Sequence, residues 1–119
     1  MFLTMVTILT VCHFLIEYFF HPTWKAVNNN LSLFKHVLWH LFVIFAVSLS
    51  FVSIEKAMII AIINCILHIV IDKRVWKMHD ECCSAIDYNR KFWHYTRIGI
   101  DQLFHIVLIV ISVWIVGVR

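Results

Sequence analysis

Four pairs of residues able to ligate metal recur in this chain at a single spacing: His13 with Glu17, His36 with His40, His68 with Asp72, and Asp101 with His105. Positions four apart share one face of a helix. All eight residues are imidazoles or carboxylates; none is Lys or Arg. Neutral imidazole and carboxylate suit zinc, manganese or iron, with imidazole favouring zinc or iron. Five imidazoles and three carboxylates can hold two ions and leave positions open for water. A metal-bound water ionises near neutral pH and can attack an ester. The chemistry expected is therefore hydrolysis at a two-metal centre, with zinc the first expectation and manganese or iron the alternatives. Glu17, Asp72 and Asp101 are also the candidates for a general base, a role that residue type and spacing leave open alongside ligation.

The elements that must position these pairs are apolar. Of the 119 residues, 62% are hydrophobic, with two Gly and one Pro. A soluble domain of this size could not bury so much apolar surface, so lipid is the solvent. Apolar runs at about 2–20, 33–53, 55–72 and 98–118 approach the roughly 20 residues that a span requires. They predict an all-α integral membrane four-helix bundle, with 1–119 as one domain. His21-Pro22 should stop the first helix, and the asparagines at 28–30 suit a turn or a cap. Ser53 is the N-cap candidate for the third helix, which should end near Asp72. Segment 73–97, KRVWKMHDECCSAIDYNRKFWHYTR, mixes basic and aromatic residues. It predicts a short amphipathic cytoplasmic segment, either an interfacial helix or a helical hairpin. The first run has no basic region before it and no small-residue cleavage site, so it reads as a retained span and not as a signal peptide.

Charge gives the orientation. Lys25 and Lys35 border the first connection, and Lys73, Arg74, Lys77, Arg90, Lys91 and Arg97 lie in the third. The other side carries only Lys56 and Arg119. The positive-inside rule then places the chain in the inner (cytoplasmic) membrane with loops one and three inside and both termini outside. With that topology His13, His40, His68 and His105 fall in one deep layer. Glu17, His36, Asp72 and Asp101 fall about 6 Å nearer the cytoplasm, at roughly 1.5 Å of rise per residue. The orientation rests on Lys and Arg alone, so the layering is an independent sign of one site near the cytoplasmic face. Ionisable residues in spans are costly and normally face a bundle interior or a water-filled cavity. Inward imidazoles and carboxylates in a four-helix bundle are the geometry of two-metal sites.

Other readings compete. A lone His in a span is usually a hydrogen-bonded core residue, but four pairs at matched depth are not accounted for in that way. Deep histidines on opposite helices can ligate haem iron; the outer carboxylates and the scarcity of Gly argue against it. A non-catalytic metal-binding protein, in ion transport or in regulation, is the main alternative, although no repeat or broken helix is visible. A small effector whose cluster only holds the bundle together is a third. Cys82 and Cys83 lie near His79, Asp80 and Glu81 at a spacing that matches no zinc module. With Cys12 and Cys65 inside apolar runs, the four cysteines do not predict a disulfide framework. Lys25, Lys73, Arg74 and Arg97 stand where a phosphate would approach, against the simpler reading of headgroup anchoring. Gln102 points about 100° from Asp101 and is a candidate second donor or substrate contact, against a plain span cap. An amphiphilic phosphoester, such as a phospholipid or an isoprenoid phosphate, is the preferred substrate, and membrane lipid the expected partner. No nucleic-acid role is expected, because lipid explains the basic and aromatic segment more simply.

HFLIEYFFH at 13–21 followed by Trp24, KHVLWH at 35–40, HIVID at 68–72 and DQLFH at 101–105 occur in that order and span most of the chain. Together they resemble the motifs of the small prokaryotic and phage integral membrane proteins grouped as domain of unknown function 3307. Glu17 stands where that family usually has Asp, which keeps a carboxylate and lengthens its reach. His21 stands where it usually has Gln, adding a ninth candidate ligand, although a loop His beside Pro22 is more often interfacial. The resemblance implies a bacterial or phage source and confers no activity. The arrangement is similar to that of membrane-bound metal-dependent hydrolases, an analogy of site.

Overall fold

The computed structural model describes residues 1–19, 30–83 and 90–118, with the backbone alone at 76, 78–83, 90–95 and 97. It is all-α: α1 (Phe2–Phe19), α2 (Asn30–Ser48), α3 (Ile54–Cys83) and α4 (Arg90–Ile115). Four segments, Phe2–Phe19, Asn30–Ser48, Ile54–Val75 and Ile98–Ile115, are long and apolar enough to cross a membrane.

Local chemistry sets the ends. α2 closes at Ser48, whose carbonyl accepts the N–H groups of Phe51 and Val52 at 2.9 and 3.0 Å, turning the chain within residues 49–53. The Ser53 carbonyl accepts the Ala57 N–H at 2.9 Å, which puts Ser53 at the N-cap position of α3, as expected. Gly117 adopts a left-handed φ of 74° just past α4, the usual way for a helix to stop. The third helix does not end near Asp72. It runs on to Cys83, because nothing between 54 and 83 is Gly or Pro. At about 1.5 Å per residue, its 30 residues reach roughly 45 Å, well beyond a hydrocarbon core of about 30 Å. α4 likewise starts early, at Arg90. Segment 73–97 is therefore, in its described part, the prolonged ends of α3 and α4, and residues 84–89 between them lie outside the described ones. His21, Pro22, Trp24 and Lys25 lie outside the described residues.

The helices pack as a ring in chain order: α1 on α2, α2 on α3, α3 on α4, and α4 back on α1. One end of the ring, where α1 and α3 finish and α2 and α4 begin, carries Lys35, Lys73 and Arg74 and is called the basic end below. The far half of the interior is an apolar plug of Met5, Leu9, Ile44, Ile60, Ile109 and Val113. The outside is apolar as well, with Leu3, Tyr18, Phe42 and Trp114 each more than 60% exposed. Histidines and carboxylates inside with Leu, Phe and Trp outside invert the usual soluble arrangement, and this is the pattern that lipid solvation favours.

Candidate metal centre

Each helix of the ring contributes one pair. α1 carries His13 and Glu17, α2 His36 and His40, α3 His68 and Asp72, and α4 Asp101 and His105. Seven of the eight are buried; Asp101, at the basic end, is half-buried. The four deep histidines form a closed ring that follows the helix order. Ring centroids are 4.9 Å apart for His13–His40, 4.2 Å for His40–His68, 4.3 Å for His68–His105 and 4.7 Å for His105–His13. Rings this close leave no slot for a flat macrocycle, so the geometry does not suit haem.

The carboxylates attach to this ring unevenly. Glu17 Oε1 accepts hydrogen bonds from Nε2 of His36 at 2.9 Å and of His40 at 3.0 Å, and His68 Nε2 lies 3.5 Å from the same oxygen. Asp72 reaches two histidines with different oxygens: Oδ2 lies 3.2 Å from His68 Nε2 and Oδ1 lies 3.6 Å from His105 Nε2. Asp101 Oδ1 stands 3.7 Å from His105 Nδ1. The His105 Nδ1–H donates to the Asp101 backbone carbonyl at 2.8 Å, which fixes the tautomer and leaves Nε2 as the bare nitrogen aimed inward. The Nε2 atoms of His13, His68 and His105 are buried with no hydrogen-bond partner among the described residues. A buried polar atom without a partner is costly, so such atoms point to something bound.

Three overlapping groups can hold a metal ion, each offering ligand atoms within 4.8 Å of one another: His13, Glu17, His40 and His68; His36, His68 and Asp72; and Asp72, Asp101 and His105. All eight residues singled out by spacing fall within them. Imidazole and carboxylate oxygens together make a donor set suited to divalent first-row metals.

The remaining candidates sit elsewhere. Lys73 and Arg74 follow Asp72 directly and are exposed, because successive helical positions turn about 100° away from the interior. Gln102 is half-buried, and its Oε1 has no hydrogen-bond partner among the described residues. Lys25, His21 and the side chains of Arg97, His79, Asp80, Glu81, Cys82 and Cys83 lie outside the described ones.

A second polar layer was not expected. Asn64 Nδ2 donates to Ser112 Oγ at 2.7 Å and to the Ile60 carbonyl at 2.8 Å, and the Ser112 hydroxyl donates to the Ile109 carbonyl at 2.9 Å. Ser48 is fully buried nearer the far end. The signal was present in the spacing: Asn64 precedes His68 by one more four-residue step, Ser112 follows His105 by seven and Ser48 follows His40 by eight. Comparison of the chain with protein families, curated proteins and solved structures returns no match.

Proposed function

We propose that this chain is a membrane-embedded metal-dependent hydrolase with a two-metal centre that opens toward the cytoplasm, acting on an amphiphilic phosphoester. One observation carries the reading: each helix of the ring supplies one imidazole- or carboxylate-bearing pair to a single buried cluster, in which the Nε2 atoms of His13, His68 and His105 have no hydrogen-bond partner among the described residues. Zinc is the metal favoured by five imidazoles, with manganese or iron next. When bound, the ions would supply Lewis acidity and an acidified water.

The surroundings support the substrate class. The apolar plug blocks the far half of the interior, so a reactant would arrive from the basic end. Lys73 and Arg74 are exposed on the outer side of α3 at that end, where they suit the phosphate of a membrane-bound headgroup. The lipid-facing outside suits a hydrocarbon tail. Hydrolysis would form a bond from water oxygen to phosphorus and break the ester P–O bond. An oxygen of Glu17, Asp72 or Asp101 that does not ligate metal would take the water proton and return it to the leaving alkoxide. The excess of Lys and Arg in the first and third connections supports the cytoplasmic placement of this end. The four ordered motifs support kinship with domain of unknown function 3307.

The first test is elemental analysis of the detergent-purified protein beside His40→Ala and Asp101→Ala, followed by assay of lipid phosphoesters in mixed micelles. Two equivalents of metal in the wild type, reduced in both variants, together with phosphate release that is lost on chelation, is the expected result. Absence of metal, including after adding it back, would refute the reading. A second reading, a non-catalytic metal-binding protein, is favoured by the complete burial of the group His13, Glu17, His40 and His68. Metal retained with no hydrolysis of any phosphoester would select it.

A further inference from the structure

We propose that the centre consists of two unlike subsites: a closed, nitrogen-rich one on α1, α2 and α3 that takes zinc, and an open, oxygen-rich one on α3 and α4 that takes manganese and receives the substrate oxygen. This deepens the metal-centre reading and rests on it. The two outer groups share no residue. His13, Glu17, His40 and His68 offer three imidazole nitrogens and one carboxylate oxygen, all buried. Four protein ligands with no open position is the pattern of a closed zinc site. Asp72, Asp101 and His105 offer two carboxylates and one imidazole. Three protein ligands leave a coordination position for water or substrate, and carboxylate-rich sets suit magnesium and manganese better than imidazole-rich ones do.

Exposure singles out Asp101. Its side chain is 16% exposed, against 9% for Glu17, 4% for Asp72 and 1–3% for His40, His68 and His105. The open subsite therefore lies at the mouth and the closed one behind it. The His105 Nδ1–H is tied to the Asp101 carbonyl, so its bare Nε2 is held toward Asp72. Asp72 sits between the subsites with one oxygen toward His68 and the other toward His105, the arrangement of a bridging carboxylate. The middle group of His36, His68 and Asp72 takes one member from each outer group, which makes the subsites adjacent.

The test uses the whole chain in detergent, stripped by chelator, given one equivalent of zinc and then titrated with manganese. Bound manganese is read as loss of the free-ion paramagnetic resonance signal. The expected result is one manganese per chain in the presence of one zinc. Asp101→Asn should weaken manganese at least about tenfold and leave the first zinc unchanged; His40→Ala should do the reverse, by the scale on which a disturbed ligand shell lowers affinity. Should His40→Ala lose helicity by circular dichroism, His13→Gln probes the same subsite with less disruption. Manganese excluded by a single zinc, or both metals weakened alike by both variants, would overturn the two-subsite assignment while leaving a metal centre. Binding of neither metal would overturn the metal-centre reading itself, and this inference with it.

Discussion

Glu17→Gln separates metal ligation from packing, because it removes the charge on which three imidazoles converge while keeping the size of the side chain. In the metal-free protein two charge-assisted hydrogen bonds, from His36 and His40, become neutral ones. That loss, roughly 0.5–2 kcal/mol per bond, is offset by no longer burying a carboxylate, so the net change should stay within about 2 kcal/mol. The metal-bound protein behaves differently. Zinc at one hundred times its dissociation constant stabilises the wild type by about 2.7 kcal/mol. A carboxamide is a poor ligand, and a hundredfold weaker site would sit at its dissociation constant at that same zinc concentration. The stabilisation then falls to about 0.4 kcal/mol by the same relation. Unfolding of the detergent-solubilised protein with and without zinc, followed by far-ultraviolet circular dichroism, gives both increments. If Glu17→Gln lowers stability equally in the two conditions and keeps the full zinc increment, then Glu17 is only a hydrogen-bond acceptor in the packing and the ligand assignment fails.

In a double-mutant cycle on Asn64→Ala and Ser112→Ala, the interhelical hydrogen bond should show a coupling of about 0.6 kcal/mol and no more than about 1.7, measured by unfolding in detergent. Leu9→Ala should open a cavity in the apolar plug and destabilise the bundle by about 2–5 kcal/mol. Its metal content per chain, by elemental analysis, should not change, because the plug lies beyond the histidine ring. In intact cells expressing a variant without native cysteines, Ser50→Cys in the exposed α2–α3 turn should react with an impermeant maleimide. Lys73→Cys should react only after permeabilisation, and the opposite pattern would reverse the assigned orientation.

Four helices and the inward faces of the eight site residues were legible in the sequence because both depend on local physics. Apolar run length reports the solvent, and a spacing of four reports a shared helical face whatever the neighbours are. The layer of deep histidines followed once Lys and Arg set alternating directions for the helices. α3 runs past the end expected near Asp72 because a change to polar residues reports a change of solvent, whereas a helix stops only where its hydrogen bonding is interrupted; without Gly or Pro it continues to Cys83. The layer of Asn64 and Ser112 is barely legible in the sequence, because a single amide or hydroxyl in a span carries little signal alone and the partner of Asn64 on α4 lies 48 positions away.

What the sequence by itself determined is thus the solvent, the number of spans and the face of each helix that carries ligating groups. What only the tertiary structure decided is how those faces are shared. That the helices close in chain order places His13 against both His40 and His105. That Glu17 meets His36 and His40 while Asp72 divides its oxygens between His68 and His105 gathers the eight residues into three overlapping groups. Spacing along one helix fixes direction to within a face, but distances between helices depend on how all four side-chain layers pack together, and no single segment encodes that.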